Sequence, residues 1–185
     1  MKTQTLLIPL TFILLLIGSI TFLSGCTTTD ETPDEGDNFA YTLLDETTGE
    51  LKDHRGKVVI VDLWATWCQP CQYQMLELEK TYENYSRDQL EILSINTDFR
   101  ESLSDIQDFI DQFEEYGYDL DWIFANELDD LESYNPEQSI PRLIIFDQEG
   151  NIFWDHNGVI FFAELPDGWT GEKTLLKEKI DELIN

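Results

Sequence analysis

The architecture of this chain follows from residues 58–71, VVIVDLWATWCQPC. The first seven residues form an almost unbroken apolar run of strand length, which is typical of a strand buried on both faces of a sheet. The last four place two cysteines, Cys68 and Cys71, where that strand gives way to a helical pattern. The N–H groups at a helix N-terminus favour a negative charge, so Cys68 should form a thiolate readily, and a thiolate attacks disulfides. The motif therefore predicts a site of dithiol–disulfide exchange.

Outward from this stretch, strand and helix patterns alternate. The predicted helices span residues 70–86, 102–116, 128–134 and 174–184, and the predicted strands span 57–64, 90–96, 122–125, 142–146 and 151–155. Residues 39–51 predict a hairpin with Gly49 in its turn. The order indicates an α/β fold with a central mixed β-sheet flanked by helices and an N-terminal β-hairpin extension. Residues 161–171 are unusually aromatic and predict either a lid or partner-binding patch, or an extra core strand.

The charge balance limits the partners of this protein. The 185 residues contain 38 acids and 11 bases, for a formal net charge of −27. This charge disfavours nucleic acid and anionic membrane surfaces as direct partners. Residues 101–137 contain 13 Asp or Glu and no Lys or Arg. This run indicates a solvated face, with a docking surface for a basic partner as the alternative.

The N-terminus predicts export and anchoring. Residues 1–25 combine Lys2 with a long apolar stretch and end in Leu-Ser-Gly, directly before Cys26. This order is typical of a lipoprotein signal peptide in which Cys26 is lipidated; the alternative is an uncleaved membrane anchor. Residues 26–38 then predict an acidic flexible linker, and residues 39–185 the folded domain. Either form of anchor holds the domain at the outer face of the cytoplasmic membrane.

The cysteine count limits the role of the redox pair. If Cys26 is consumed by the anchor, Cys68 and Cys71 can pair only with each other. A structural zinc site usually needs four Cys or His ligands, and only His54 and His156 remain, at unsuitable spacing. No metal and no cofactor is therefore expected. The pair is predicted to serve redox chemistry.

Two separated motifs resemble a known family. Residues 61–71, VDLWATWCQPC, and the Ser139-Ile140-Pro141 sequence about seventy residues later are similar to thioredoxin-fold proteins. The likeness is closer to the membrane-tethered, TlpA-like thiol–disulfide oxidoreductases found outside the cytoplasmic membrane, and it covers residues 39–185. The resemblance implies that Cys68 is the exposed nucleophile, Cys71 the buried resolving cysteine, and Pro141 the proline that follows a cis peptide bond.

The resemblance also assigns supporting residues. Asp62 matches the buried acid of thioredoxins; burial should raise its pKa, and it could then accept the proton of Cys71. Contact with substrate is expected from Trp67, Gln69, Pro70, Ile140 and Pro141. Two positions depart from the family pattern. Gln74 replaces a common Glu, which leaves more of the acid–base work to Asp62, and Arg142 follows Pro141, pointing either toward the dithiol or away from it.

The expected function is a thiol–disulfide oxidoreductase that reduces disulfides of exported proteins, with cytochrome c maturation as one possible task. Its expected partners are those proteins and a membrane thiol that donates electrons, and the chain itself is expected to be a monomer. Two alternatives are a disulfide-forming oxidant of the same fold and a redox-inert lipoprotein that only binds.

Overall fold

A computed structural model describes residues 36–129 and 131–184. Its strands are β1 Ala40–Leu43, β2 Thr48–Glu50, β3 Val58–Trp64, β4 Leu90–Asn96, β5 Ile123–Glu127, β6 Arg142–Phe146 and β7 Ile152–Asn157. Its helices are α1 Gln69–Asn84, α2 Leu103–Glu115 and α3 Leu176–Asp181, with a short 3-10 helix at Leu51–His54.

The strands form one mixed sheet in the order β2-β1-β5-β4-β3-β6-β7. Strands β3, β4 and β5 are parallel and joined by α1 and α2. On the other side of β3, β6 pairs antiparallel with β3, and β7 pairs antiparallel with β6. The β1–β2 hairpin extends the sheet beyond β5. The predicted mixed sheet and N-terminal hairpin extension are therefore confirmed. Every residue of β3 is buried, as its apolar run predicts.

The two faces of the sheet are covered differently. Ile60 and Trp64 of β3 belong to a core cluster that also contains the cysteine pair and the buried hydrophobic residues of all three helices. Val61 and Leu63 belong to a second core cluster on the opposite face, and among the described residues this cluster has no member from α1, α2 or α3. Instead, that face is covered by the chain around Phe39, Leu51, Leu131 and Tyr134. This difference places the redox motif on the helical side.

Some predictions of local structure are wrong. Gly49 lies in β2 and not in the hairpin turn, because it faces Tyr41 across the hairpin and leaves room for that ring. No helix forms over the described part of residues 128–134, which contains a turn closed by Tyr134 N–H donating to Leu131 O. Pro136 follows closely and disfavours helical backbone in the residue before it. The extra strand considered for 161–171 is also absent, since these residues form bends and turns.

The predicted signal segment 1–25 and the predicted lipidation site Cys26 lie outside the described residues. Within the described residues, no helix is both long and apolar enough to cross a bilayer. Asp37 and Asn38, assigned to the linker, hydrogen-bond to the domain: Asp37 N–H donates to Gly150 O at 2.9 Å, and Lys52 N–H donates to the Asn38 side chain at 2.9 Å.

Candidate active site

Cys68 and Cys71 form a disulfide at the start of α1, with their Cα atoms 5.2 Å apart. Cys68 is the N-cap of the helix, and the N–H of Cys71 donates to Cys68 Sγ at 3.3 Å. Pro70 occupies the first helical turn, where its missing N–H costs no hydrogen bond. The helix therefore directs a backbone donor at the sulfur of Cys68, and this donor would stabilise a thiolate there once the pair is reduced.

The predicted exposure of Cys68 is wrong for the disulfide form. Cys68 is only 4% exposed and Cys71 is fully buried. The side chains next to the cysteines are exposed to solvent instead: Trp67 is 61% exposed, and Gln69 and Pro70 are also exposed. A partner therefore meets these neighbours before it reaches the sulfur of Cys68.

The indole of Trp67 is held in place although it is exposed. Its Nε1–H donates to Asp98 Oδ2 at 2.7 Å. Arg100 fixes the same carboxylate through its backbone N–H at 3.0 Å and its guanidinium Nε at 2.8 Å. The hydrogen bond from the Arg100 side chain, aided by the one from Trp67, holds the pKa of Asp98 well below its usual range. Trp67 is thus a fixed, flat apolar surface at the edge of the redox pair.

Glu101 anchors the loop between β3 and the redox pair. Its carboxylate accepts from Thr66 N–H at 3.0 Å, from the Thr66 hydroxyl, and from Asn96 Nδ2 at 2.6 Å. Gln72 Nε2 in turn donates to Thr66 O at 3.0 Å. Sequence reasoning missed this role, because Glu101 belongs to the acidic run and is 33 residues away from Cys68. Only the adjacent ends of the parallel strands β3 and β4 bring it to the loop.

Asp62 is fully buried, as predicted. Strand alternation puts it on the same face as Ile60 and Trp64, which pack in one cluster with Cys71. Ser94 donates to Asp62 Oδ2 at 3.1 Å and itself accepts from Trp122 Nε1 at 2.9 Å. Burial raises the pKa of Asp62 to about 7, and the Ser94 hydrogen bond opposes the rise. The carboxyl is therefore able to change protonation state near neutral pH.

The Ile140–Pro141 peptide bond is cis, as the resemblance implies. Pro141 precedes β6, whose first residue Arg142 pairs with Leu63 near the end of β3. Ile140 and Trp67 line one cavity of about 510 Å³, with Leu63 and Ala65 also in its wall. The structure thus brings the cis-proline loop, which contains Ile140 and Pro141, and the redox loop between β3 and Cys68 to the same edge of the sheet.

The two departures from the family pattern have separate structural roles. The guanidinium of Arg142 pairs with Glu137 at 3.1 Å and Asp155 at 2.7 Å, and strand alternation places Arg142 on the face opposite the cysteines. Of the two orientations considered, it therefore takes the one away from the dithiol. Gln74 is fully buried: its Nε2 donates to Ile160 O at 3.3 Å and its Oε1 accepts from Ile160 N–H at 2.8 Å. It connects α1 to the segment before α3.

Comparisons with known proteins agree with this geometry. A family model described as thioredoxin-like matches residues 56–152. The thiol–disulfide oxidoreductase ResA of Bacillus thuringiensis subsp. konkukian (strain 97-27) is 32% identical over 119 residues, which cover 62% of this chain and 68% of that protein.

Two solved structures show the same fold. The thioredoxin domain of a thiol–disulfide oxidoreductase from Bacteroides vulgatus is 27% identical with a TM-score of 0.55, covering 66% of this chain and 86% of that one. The exposed lipoprotein thioredoxin of Streptococcus pneumoniae is 21% identical with a TM-score of 0.56, covering 80% of this chain and 100% of that one.

Proposed function

The chain belongs to the thioredoxin-like family and is a thiol–disulfide oxidoreductase, and on that premise we propose that it reduces disulfides of exported proteins at the outer face of the cytoplasmic membrane. The observation that carries this proposal is the Cys68–Cys71 disulfide at the N-cap of α1, with the Cys71 N–H on Cys68 Sγ. A binding module has no need of that arrangement. A disulfide-exchange enzyme needs a sulfur that is stable as a thiolate.

The proposed cycle begins with the reduced pair. The Cys68 thiolate attacks one sulfur of a substrate disulfide, a Cys68–substrate disulfide forms, and the other substrate sulfur leaves as a thiolate that takes up a proton. Cys71 then loses its proton and attacks Cys68 Sγ. The second substrate thiolate leaves, and the Cys68–Cys71 disulfide is restored. Two electrons pass to the substrate. A dithiol of a membrane protein then supplies two electrons that reduce the Cys68–Cys71 disulfide again.

Asp62 is proposed to accept the proton of Cys71 in the second step. Support comes from its position in β3 on the face that packs against α1, and from the pKa of about 7 that burial gives it. At neutral pH a substantial fraction of the carboxyl is then ionised and able to take a proton. Gln74 has an amide side chain, which does not titrate, and cannot do this.

Contact with the substrate is proposed for Trp67, Gln69, Pro70, Ile140 and Pro141. The first three are exposed around the disulfide, and Ile140 lines the same cavity as Trp67. Pro141 is buried directly beside Ile140, and its contact with substrate is proposed from the family resemblance.

Anchoring through a lipid on Cys26 is proposed from the Leu-Ser-Gly-Cys sequence at residues 23–26. A solved relative in fold, from Streptococcus pneumoniae, is described as an exposed lipoprotein. Mass spectrometry of the N-terminal peptide tests this proposal. Lipidated Cys26 as the first residue supports it, whereas a peptide that begins at Met1 or at an unmodified residue contradicts it.

A redox titration tests the central activity. The purified full-length chain is equilibrated in glutathione or dithiothreitol buffers, and free thiols are counted by alkylation. We expect one reversible two-electron transition and insulin reduction that Cys68→Ser abolishes. A potential near −120 mV would favour the oxidant alternative, and one near −270 mV the reductase. The absence of any reversible transition would favour the redox-inert binding protein. A potential in the reductase range would leave cytochrome c maturation as one candidate task.

The proton-acceptor role of Asp62 has its own test. Asp62→Asn should slow the resolution step in single-turnover experiments at pH 7, while the first attack by Cys68 keeps its rate. An unchanged resolution rate would remove Asp62 from the mechanism.

A further inference from the structure

A groove of about 530 Å³ opens on the Gln69 side of the redox pair. One wall is the surface of α1, with Gln69, Tyr73 and Lys80 along it, and the other wall contains Phe161 and Trp169. Its aromatic rings are open to solvent: Tyr73 is 60% exposed and Trp169 is 38% exposed. Exposed aromatic groups gathered in one place are uncommon on a protein surface that binds nothing.

The far wall of the groove is held in a fixed position. Gln74 makes the two hydrogen bonds to the backbone of Ile160, and Glu77 Oε2 accepts from Phe162 N–H at 2.8 Å. Trp169 packs edge-on against the Phe161 ring, with centroids 4.9 Å apart, and its Nε1–H donates to a backbone carbonyl at 2.6 Å. The groove is therefore formed before any partner arrives, which lowers the entropy cost of binding.

The dimensions of the groove suit a short extended peptide. Gln69 and Lys80 are eleven residues apart on α1, which corresponds to about 16 Å at 1.5 Å per residue. An extended chain covers that distance with about five residues. The groove also begins at the residues that directly follow Cys68, so a polypeptide joined to Cys68 by a disulfide is already at its entrance.

We propose that the groove binds the residues that flank the reacting cysteine of the substrate polypeptide. The occupant is an extended stretch of about five residues with aromatic or large aliphatic side chains at alternate positions. Neutral or basic residues between them suit a groove whose lining contains Glu77 and Glu79 beside Lys80, in a protein whose net charge is −27. This inference rests on the proposed function and adds the class of substrate sequence to it.

The test uses two synthetic peptides, each presented as a disulfide-linked dimer. Both contain one cysteine with five residues on either side; one has Trp and Leu at alternate positions, and the other has Ser and Gln there. The reduced full-length chain is assayed for kcat/KM with each peptide and with oxidised glutathione, which has no aromatic or large aliphatic side chain to place in the groove. We expect the apolar peptide to react about tenfold faster than the polar one, the effect of one well-buried anchor residue.

Variants locate the effect. Tyr73→Ala and Trp169→Ala should each lower the ratio of kcat/KM for the apolar peptide to that for glutathione, by about fivefold or more. Tyr116→Ala is the matched control, because Tyr116 is 73% exposed and does not line the groove. Unchanged ratios in both groove variants, or equal rates for the two peptides, would overturn the inference while glutathione reduction upholds the proposed function. Failure of the unmodified chain to reduce any of the three disulfides would overturn the proposed function itself.

Discussion

Asp62 is a carboxyl group inside the core, and its Oδ1 has no hydrogen-bond partner among the described residues. Burial favours the neutral form, so the folded-state pKa is about 7 against an ordinary value of 3.8. The unfolded chain therefore binds fewer protons than the folded chain between these values, and stability falls as pH rises from about 4 to about 7. The proposed proton acceptor thus has a cost to stability that can be measured.

Asp62→Asn should remove that pH dependence. A difference of about three pKa units corresponds to about 4 kcal/mol in total, of which about 2–3 kcal/mol falls between pH 5 and pH 8. The free energy of unfolding of the unmodified chain should drop by that amount relative to Asp62→Asn over this range, as measured by denaturant titration. Asp108→Asn, at an exposed position of α2, is the control and should track the unmodified chain. If the free energy of unfolding of Asp62→Asn changes with pH in parallel with that of the unmodified chain, Asp62 does not titrate in this range.

Glu101 and Thr66 support a second prediction at this scale. Loss of their hydrogen bonds should let the redox loop move and weaken the N-cap arrangement of Cys68. In a Cys71→Ser background, Glu101→Ala and Thr66→Val should slow alkylation of Cys68 at pH 7 by about threefold to tenfold. Thr66→Ser keeps the hydroxyl donor and should retain the original rate. If Glu101→Ala and Thr66→Val are alkylated as fast as Thr66→Ser, Glu101 has no positioning role.

Among the secondary-structure elements, α1 links the redox pair to the rest of the domain. It begins at the disulfide, buries Met75 and Leu78 in the core, and holds Ile160 through Gln74. The amide suits this position because it both donates and accepts, whereas an ionised carboxylate only accepts.

Gln74→Glu should therefore destabilise the fold at neutral pH. The ionised side chain would face Ile160 O without a donor, at a cost of about 1–3 kcal/mol. The loss should shrink toward pH 5, where a protonated carboxyl donates again. Thermal or denaturant unfolding at pH 5 and pH 8 measures it, with Gln112→Glu at an exposed position of α2 as control. Equal stability of Gln74→Glu and the unmodified chain at pH 8 would contradict this role of the amide.

The elements could be predicted from the sequence where the hydrophobic pattern is strong. β3, β4, β6, α1 and α2 follow from apolar runs and helical spacing, and the cysteine motif identified the redox pair. The loop-anchoring role of Glu101 could not be predicted, because it depends on the order of the strands in the sheet and not on the residues that neighbour Glu101 in sequence. The structure of residues 161–171 could not be predicted either, since it depends on a hydrogen bond from Phe162 N–H to Glu77 of α1 and on the packing of Phe161 against Trp169.

At the scale of the whole molecule, the net charge of −27 is the dominant property. The exposed positions of α2 include Asp105, Asp108, Asp111, Glu114 and Glu115, so this part of the acidic run forms a solvated face. Repulsion among so many like charges opposes the compact state and is screened by salt.

Raising NaCl from about 0.01 M to about 0.5 M should therefore stabilise the fold at pH 8, by at least about 1 kcal/mol. The effect should be smaller at pH 4.5, where many carboxylates are neutral. Denaturant unfolding at both pH values provides the measurement. A chain that loses stability with added salt at pH 8 would show that favourable ion pairs outweigh the repulsion.

The most direct test of the mechanism is to trap the covalent intermediate with substrate. Reduced full-length Cys71→Ser is mixed with insulin, and Cys68→Ser serves as the matched variant. We predict that Cys71→Ser accumulates a chain–insulin complex joined through Cys68, which dithiothreitol dissolves, and that Cys68→Ser forms none. Equal complexes in both variants, or no complex with Cys71→Ser, would contradict the claim that Cys68 is the attacking sulfur.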